Sequence, residues 1–87
     1  MSEDQHLAEL RAEITEIDRA LFDLVNRRLT VVTKLKAHKE KHGIGFVDPQ
    51  REAAMLDERV GENAGPLSDD GLRAFYTELL ALIKREL

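Results

Sequence analysis

The first residues in this sequence that could do chemistry are two cations on an otherwise apolar seam. Leu7, Leu10, Ile14, Ile17, Leu21 and Leu24 recur in steps of three and four, which is the stripe of an amphipathic helix. The same steps continue to Arg28, Val31, Leu35 and Lys39. Arg28 and Lys39 are 11 residues apart, about three helical turns, so they project from nearly one face roughly 16 Å apart. Charge is costly on a core face. Either acidic partners meet these cations there, or the seam opens into a pocket that holds an anion. The second alternative is the working reading, because two long cationic side chains can lean into the space between them.

Each candidate also has an ordinary structural explanation. Arg28 can snorkel at the edge of a coiled coil, and Lys39 can complement the dipole at the end of its helix. Arg11 sits beside Leu10 at the edge of the stripe, where a surface ion pair is the default. Asp48 is accounted for as a helix N-cap, and Arg51 and Glu52 as charges of a first turn. His38 and His42 have a spacing that could share a metal, but no third ligand is evident and a solvated pair is the simpler account. Six basic residues run from Arg27 to Lys41, yet Phe22 is the one Phe, Tyr or Trp in the whole first helix. That leaves little for base stacking, and no nucleic-acid partner is expected.

The elements that must position these residues are helices. The first runs from about Asp4 to about His42, with no glycine before Gly43 and no proline before Pro49. Such a helix is about 60 Å long, more than a small compact domain spans, so much of its stripe must be covered by something else. Residues 1–25 carry seven acidic and two basic side chains, and residues 26–42 carry six basic and one acidic. This polarity suits the helix dipole and would let two copies pair antiparallel, acidic half against basic half. Gly43 fits the position after a C-cap, and the segment from Gly43 to Val47 forms a short connection with apolar anchors. Asp48-Pro49 opens a second helix carrying Met55, Leu56 and Val60, which frays by Gly61 to Asn63. Gly65-Pro66 breaks the chain, and Ser68-Asp69-Asp70 opens a third helix. Its broad apolar face comprises Leu72, Phe75, Tyr76, Leu79, Leu80, Leu82 and Ile83.

The expected fold is all-α, with one long and two shorter helices in a single domain over residues 1–87. A chain of 87 residues buries only about 60% of its unfolded surface, which a partner copy would improve. With 17 acidic against 13 basic residues, bulk attraction to nucleic acid or an anionic membrane is disfavoured. The absence of cysteine excludes a disulfide framework and a thiolate metal site. The N-terminal residues lack the basic start and apolar run of a secretory signal, so the chain reads as cytoplasmic.

In combination these positions are far more specific. Leu10-Arg11 with Ile14 and Ile17-Asp18, then Leu24-Val25-Asn26-Arg27-Arg28, then Lys39, then Asp48-Pro49-Gln50-Arg51-Glu52, resemble the all-helical class of chorismate mutases. The resemblance covers nearly the whole chain, in order and without a gap up to Glu52. It implies a homodimer of three-helix subunits with entwined long helices, converting chorismate to prephenate in aromatic amino-acid biosynthesis. By position, Arg28 and Arg11 of the partner subunit resemble the family's carboxylate-binding arginines, and Arg51 a further basic residue beside the carboxylates. Lys39 resembles the lysine that contacts the ether oxygen and a carboxylate. Asp48 and Glu52 lie where the family handles the ring hydroxyl. The family also places a serine and, four residues later, a glutamine on the third helix. Here the glutamine position falls on Glu86 or Leu87, depending on whether Phe75 or Tyr76 is the aligned aromatic. Glu86 is preferred because it continues the 72, 75, 79, 82 face, but it would have to be protonated to donate.

That chemistry fits the residues. Chorismate is a dianion, and its rearrangement breaks a C–O bond and forms a C–C bond in one pericyclic step, without nucleophile or general base. No metal and no cofactor are expected. The task is to hold the enolpyruvyl arm over the ring and to stabilise charge building on the ether oxygen. Arginine forks suit the first job and a lysine the second. Leu35 and Met55 are expected as apolar walls around the ring, although ordinary core packing fits them equally. Three alternatives stay open: an isochorismate pyruvate lyase of the same fold, a non-catalytic helical dimerisation module, and a domain activated by another enzyme of the shikimate pathway.

Overall fold

The computed structural model describes residues 2–87 and contains three helices with no strand among them. Helix α1 spans Glu3–Lys41, α2 spans Pro49–Glu62 and α3 spans Asp69–Glu86. The chain divides into two compact units, Met1–Val31 and Val32–Leu87. The first unit is helical from Glu3 onward. Ser2 caps it, its side-chain oxygen accepting from the Gln5 amide at 3.1 Å. No residue of α1 is buried, and the six stripe residues from Leu7 to Leu24 are 41% to 64% exposed. An apolar stripe that length lies open within the single chain, as the helix's excess length predicts.

In the second unit α1 ends at a Schellman turn. The Ile44 amide donates to Lys39 O at 2.8 Å and the Gly43 amide to Glu40 O at 3.2 Å, with Gly43 at φ 68°. A side chain at Gly43 would be strained in this left-handed conformation, so glycine ends the helix here. Asp48 then caps α2, accepting from the Arg51 amide at 3.0 Å, with Pro49 in the first turn. Between α2 and α3, Asn63 ties the connection together. Its side-chain nitrogen donates to Leu67 O at 2.7 Å and to Asp69 Oδ1 at 3.1 Å. The Gly65-Pro66 peptide is cis. Ser68 caps α3 through the Gly71 amide at 3.0 Å.

Helices α2 and α3 pack on each other around Tyr76 and Ile83, the two buried apolar residues among those described. Met55, Leu56, Val60, Leu72, Leu79 and Leu80 are half-buried beside them. The Tyr76 hydroxyl lies 3.8 Å from Met55 Sδ, and Arg73 pairs with Asp57 at 3.3 Å. In the last turn of α2, Arg59 forks onto Glu62 with two contacts of 3.0 Å. That hydrogen bond and the Glu62 charge raise the Arg59 pKa above its ordinary value. The side of α3 bearing Phe75 and Leu82 stays exposed, which divides the broad apolar face read from the sequence into a packed stripe and an open one. No helix among the described residues is long and apolar enough to cross a membrane.

Candidate active site

The second unit contains most of the candidate residues. Lys39 lies in the last turn of α1, where the Schellman turn folds the following loop back toward it. Its Nζ donates to Phe46 O at 3.3 Å and stands 5.8 Å from the centre of the Phe46 ring, as does Lys36 Nζ. A neutral carbonyl and a ring face orient this ammonium without cancelling its charge. Among the described residues no carboxylate forms an ion pair with Lys39, Arg11 or Arg51. Lys39 is half-buried, whereas Arg11 and Arg51 are exposed. Three cations without ion-pair partners are what an anionic ligand requires. Arg11 and Arg28 belong to the first unit, Arg28 half-buried.

At the cap of α2, Asp48 is committed through one carboxylate oxygen to the Arg51 amide. One turn along, Glu52 Oε1 lies 2.6 Å from Lys84 Nζ on α3. Sequence reasoning missed this lysine. No local pattern marks it, because the pairing depends on the register of α2 against α3, which periodicity within either helix does not fix. Glu52 and Lys84 flank a groove of about 380 Å³ between the two helices, floored by Leu56 and Leu80. Met55 is turned into the helix pair against Tyr76 and Leu35 is 46% exposed. Of these two expected walls, Met55 is therefore engaged in the core and Leu35 is left open.

At the end of α3, Glu86 and Lys84 fall on different faces of the helix. Residue 86 is two positions beyond Lys84, about 160° away around the helix axis, whereas Leu87 is about 60° away. Glu86 is exposed, on the open stripe with Phe75 and Leu82, while the half-buried Leu87 continues the packed one. No cluster of acidic and histidine side chains that could hold a metal is found among the described residues. His38 and His42 contact each other, ring centres 4.4 Å apart.

Comparison with known proteins agrees with these features. The family model for chorismate mutase type II matches residues 10–86. A T-protein of Haemophilus influenzae is 40% identical over 86 residues, covering 93% of this chain and 23% of its own length. A 4-amino-4-deoxychorismate mutase of Streptomyces venezuelae is 31% identical, covering 100% of this chain and 82% of its own length. The chain thus spans under a quarter of the T-protein but most of the second relative. Two forms of a chorismate mutase from Thermus thermophilus superpose with TM-scores of 0.87 and 0.88 at 27% and 26% identity, over 90% and 92% of this chain and 98% and 91% of theirs.

Proposed function

The chain belongs to the chorismate mutase type II family, and on that premise we propose that it rearranges chorismate to prephenate, in a site that two copies build together. The observation that carries this reading is the set of cations at positions 11, 28 and 39 on one unbroken helix, inside a family match that runs from residue 10 to residue 86. Arg28, Arg51 and Arg11 of the partner subunit hold the two carboxylates, fixing the enolpyruvyl arm over the ring. Lys39 faces the ether oxygen, where negative charge builds as the C–O bond breaks. Asp48 and Glu52 meet the ring hydroxyl, with Leu35 and Met55 beside the ring. Glu86 has the least support of the implied residues, since it lies across α3 from Lys84. The homodimer is supported by the exposed stripe of α1, where covering each half-exposed leucine or isoleucine is worth roughly 1 kcal/mol. Activation by another shikimate-pathway enzyme stays compatible with a catalytic domain of this size.

A second reading is favoured by the relative that acts on 4-amino-4-deoxychorismate, which matches the whole chain. The same rearrangement on a ring bearing an amine in place of the hydroxyl would use the same cations. The test is incubation of the protein with chorismate, following loss of substrate absorbance and identifying the product, alongside the Lys39→Ala variant. Prephenate is the expected product, with kcat lowered on the order of 10²–10³-fold in the variant, the usual loss when a donor to developing charge is removed. Release of pyruvate from isochorismate would mark a lyase, and no turnover of chorismate, isochorismate or the aminated analogue would leave the dimerisation module.

A further inference from the structure

We propose that Lys84 decides which ring substituent the site accepts, selecting an uncharged hydroxyl over an ammonium group. The inference rests on the reading of Glu52 as the residue that meets that substituent, and it adds a positioning residue acting through Glu52. Of the acidic partners in the four ion pairs identified among the described residues, Glu52 is the most sheltered, 27% exposed against 54% to 73% for the others. Its contact with Lys84, at 2.6 Å, is the shortest of the four. A close ion pair in such a setting is less screened by salt than a fully exposed one. The two side chains come from different helices, so the packing of α2 on α3 fixes their approach.

The consequence is electrostatic. A carboxylate can accept at several lone pairs, so Glu52 paired with Lys84 still has acceptor capacity for a hydroxyl. The net charge of the pair is zero, so the pair itself adds little attraction for a cation beyond that of Asp48. An alkyl amine is an ammonium at neutral pH. Brought to Glu52, it would stand beside the Lys84 ammonium, and like charges at that spacing repel. Without Lys84 the preference reverses, because a lone, partly sheltered carboxylate attracts an ammonium more strongly than it attracts a hydroxyl. One residue on α3 thereby separates two substrates that differ in one substituent.

The experiment measures kcat/KM at pH 7 for chorismate and for the aminated analogue, using the native protein, Lys84→Met and the double variant Lys84→Met/Glu52→Gln. Helicity and thermal midpoints are recorded for each. The native protein should prefer chorismate. Lys84→Met should shift the ratio of the two kcat/KM values toward the amine by about tenfold or more, since like-charge juxtaposition is a strong discriminator. The double variant should lose that shift, because the attracting charge is gone. Parallel loss on both substrates at an unchanged ratio would make Lys84 merely structural and overturn the inference. A native preference for the amine would also overturn it. If neither substrate is turned over by the native protein, the functional reading itself fails, an outcome distinguished by the absence of any activity to compare.

Discussion

In the proposed reaction Lys39 is the residue on which the chemistry turns, and its surroundings suit that role. A carbonyl at 3.3 Å holds the ammonium in place, and no carboxylate pairs with it, so its charge remains available to an anion. Glu86 is the opposite case. An ionised carboxylate cannot donate a hydrogen bond, and two helical positions turn it away from Lys84. Glu86→Gln is therefore expected to change kcat/KM by less than about threefold, within the range of a surface substitution. Steady-state kinetics across pH check this: if the glutamine variant is much faster and flattens a decline of activity with rising pH, Glu86 does reach the ether oxygen in its protonated form. Arg28 and Lys39 were legible in the sequence because their spacing on one helix is itself the signal, whereas Arg11 and Arg51 stood out only through the family resemblance. Lys84 was not, because its meaning lies in a contact across 32 residues of chain.

At the scale of the helices, the ends were the most legible features. Gly43, Asp48 and Ser68 each act through hydrogen bonds to residues within four or five positions, so local chemistry dictates them. What the sequence left unresolved was which side of α3 packs. Phe75 and Tyr76 are adjacent and both aromatic, and only packing against Met55 distinguishes the buried Tyr76 from Phe75 at 51% exposure. The two caps also separate structural from functional carboxylates and hydroxyls. Ser68→Ala and Asp48→Ala should each cost about 1 kcal/mol, the usual worth of an N-cap. For a chain of this size that lowers the thermal midpoint by roughly 4–8 °C at fixed protein concentration. Only Asp48→Ala should also raise KM, since Ser68 is far along the chain from every residue assigned to substrate. Equal KM values in the two variants, both matching the native protein, would reduce Asp48 to a cap.

For the whole molecule, the account stands on a helix that is too long and too exposed for one chain. Arg11 and Arg28 are 17 residues apart on α1, hence separated by about 25 Å of rise and turned about 100° from each other. No arginine side chain closes that gap, so one dianion can touch both only if Arg11 comes from a second copy. A two-fold pair does this twice, giving two equivalent sites. The exposed stripe from Leu7 to Leu24 and the acidic-to-basic polarity of the helix both favour an antiparallel partner. The direct measurement is activity of mixed dimers made by co-refolding Arg11→Ala and Lys39→Ala proteins, each nearly inactive alone. In a mixed dimer, one site receives Lys39 from the first chain and Arg11 of the partner subunit, while the other site loses both. With random pairing, half the dimers are mixed and half of their sites are intact, so the account predicts recovery of roughly a quarter of native activity. Mixed dimers demonstrated by mass, with activity no higher than that of the parents, would contradict it.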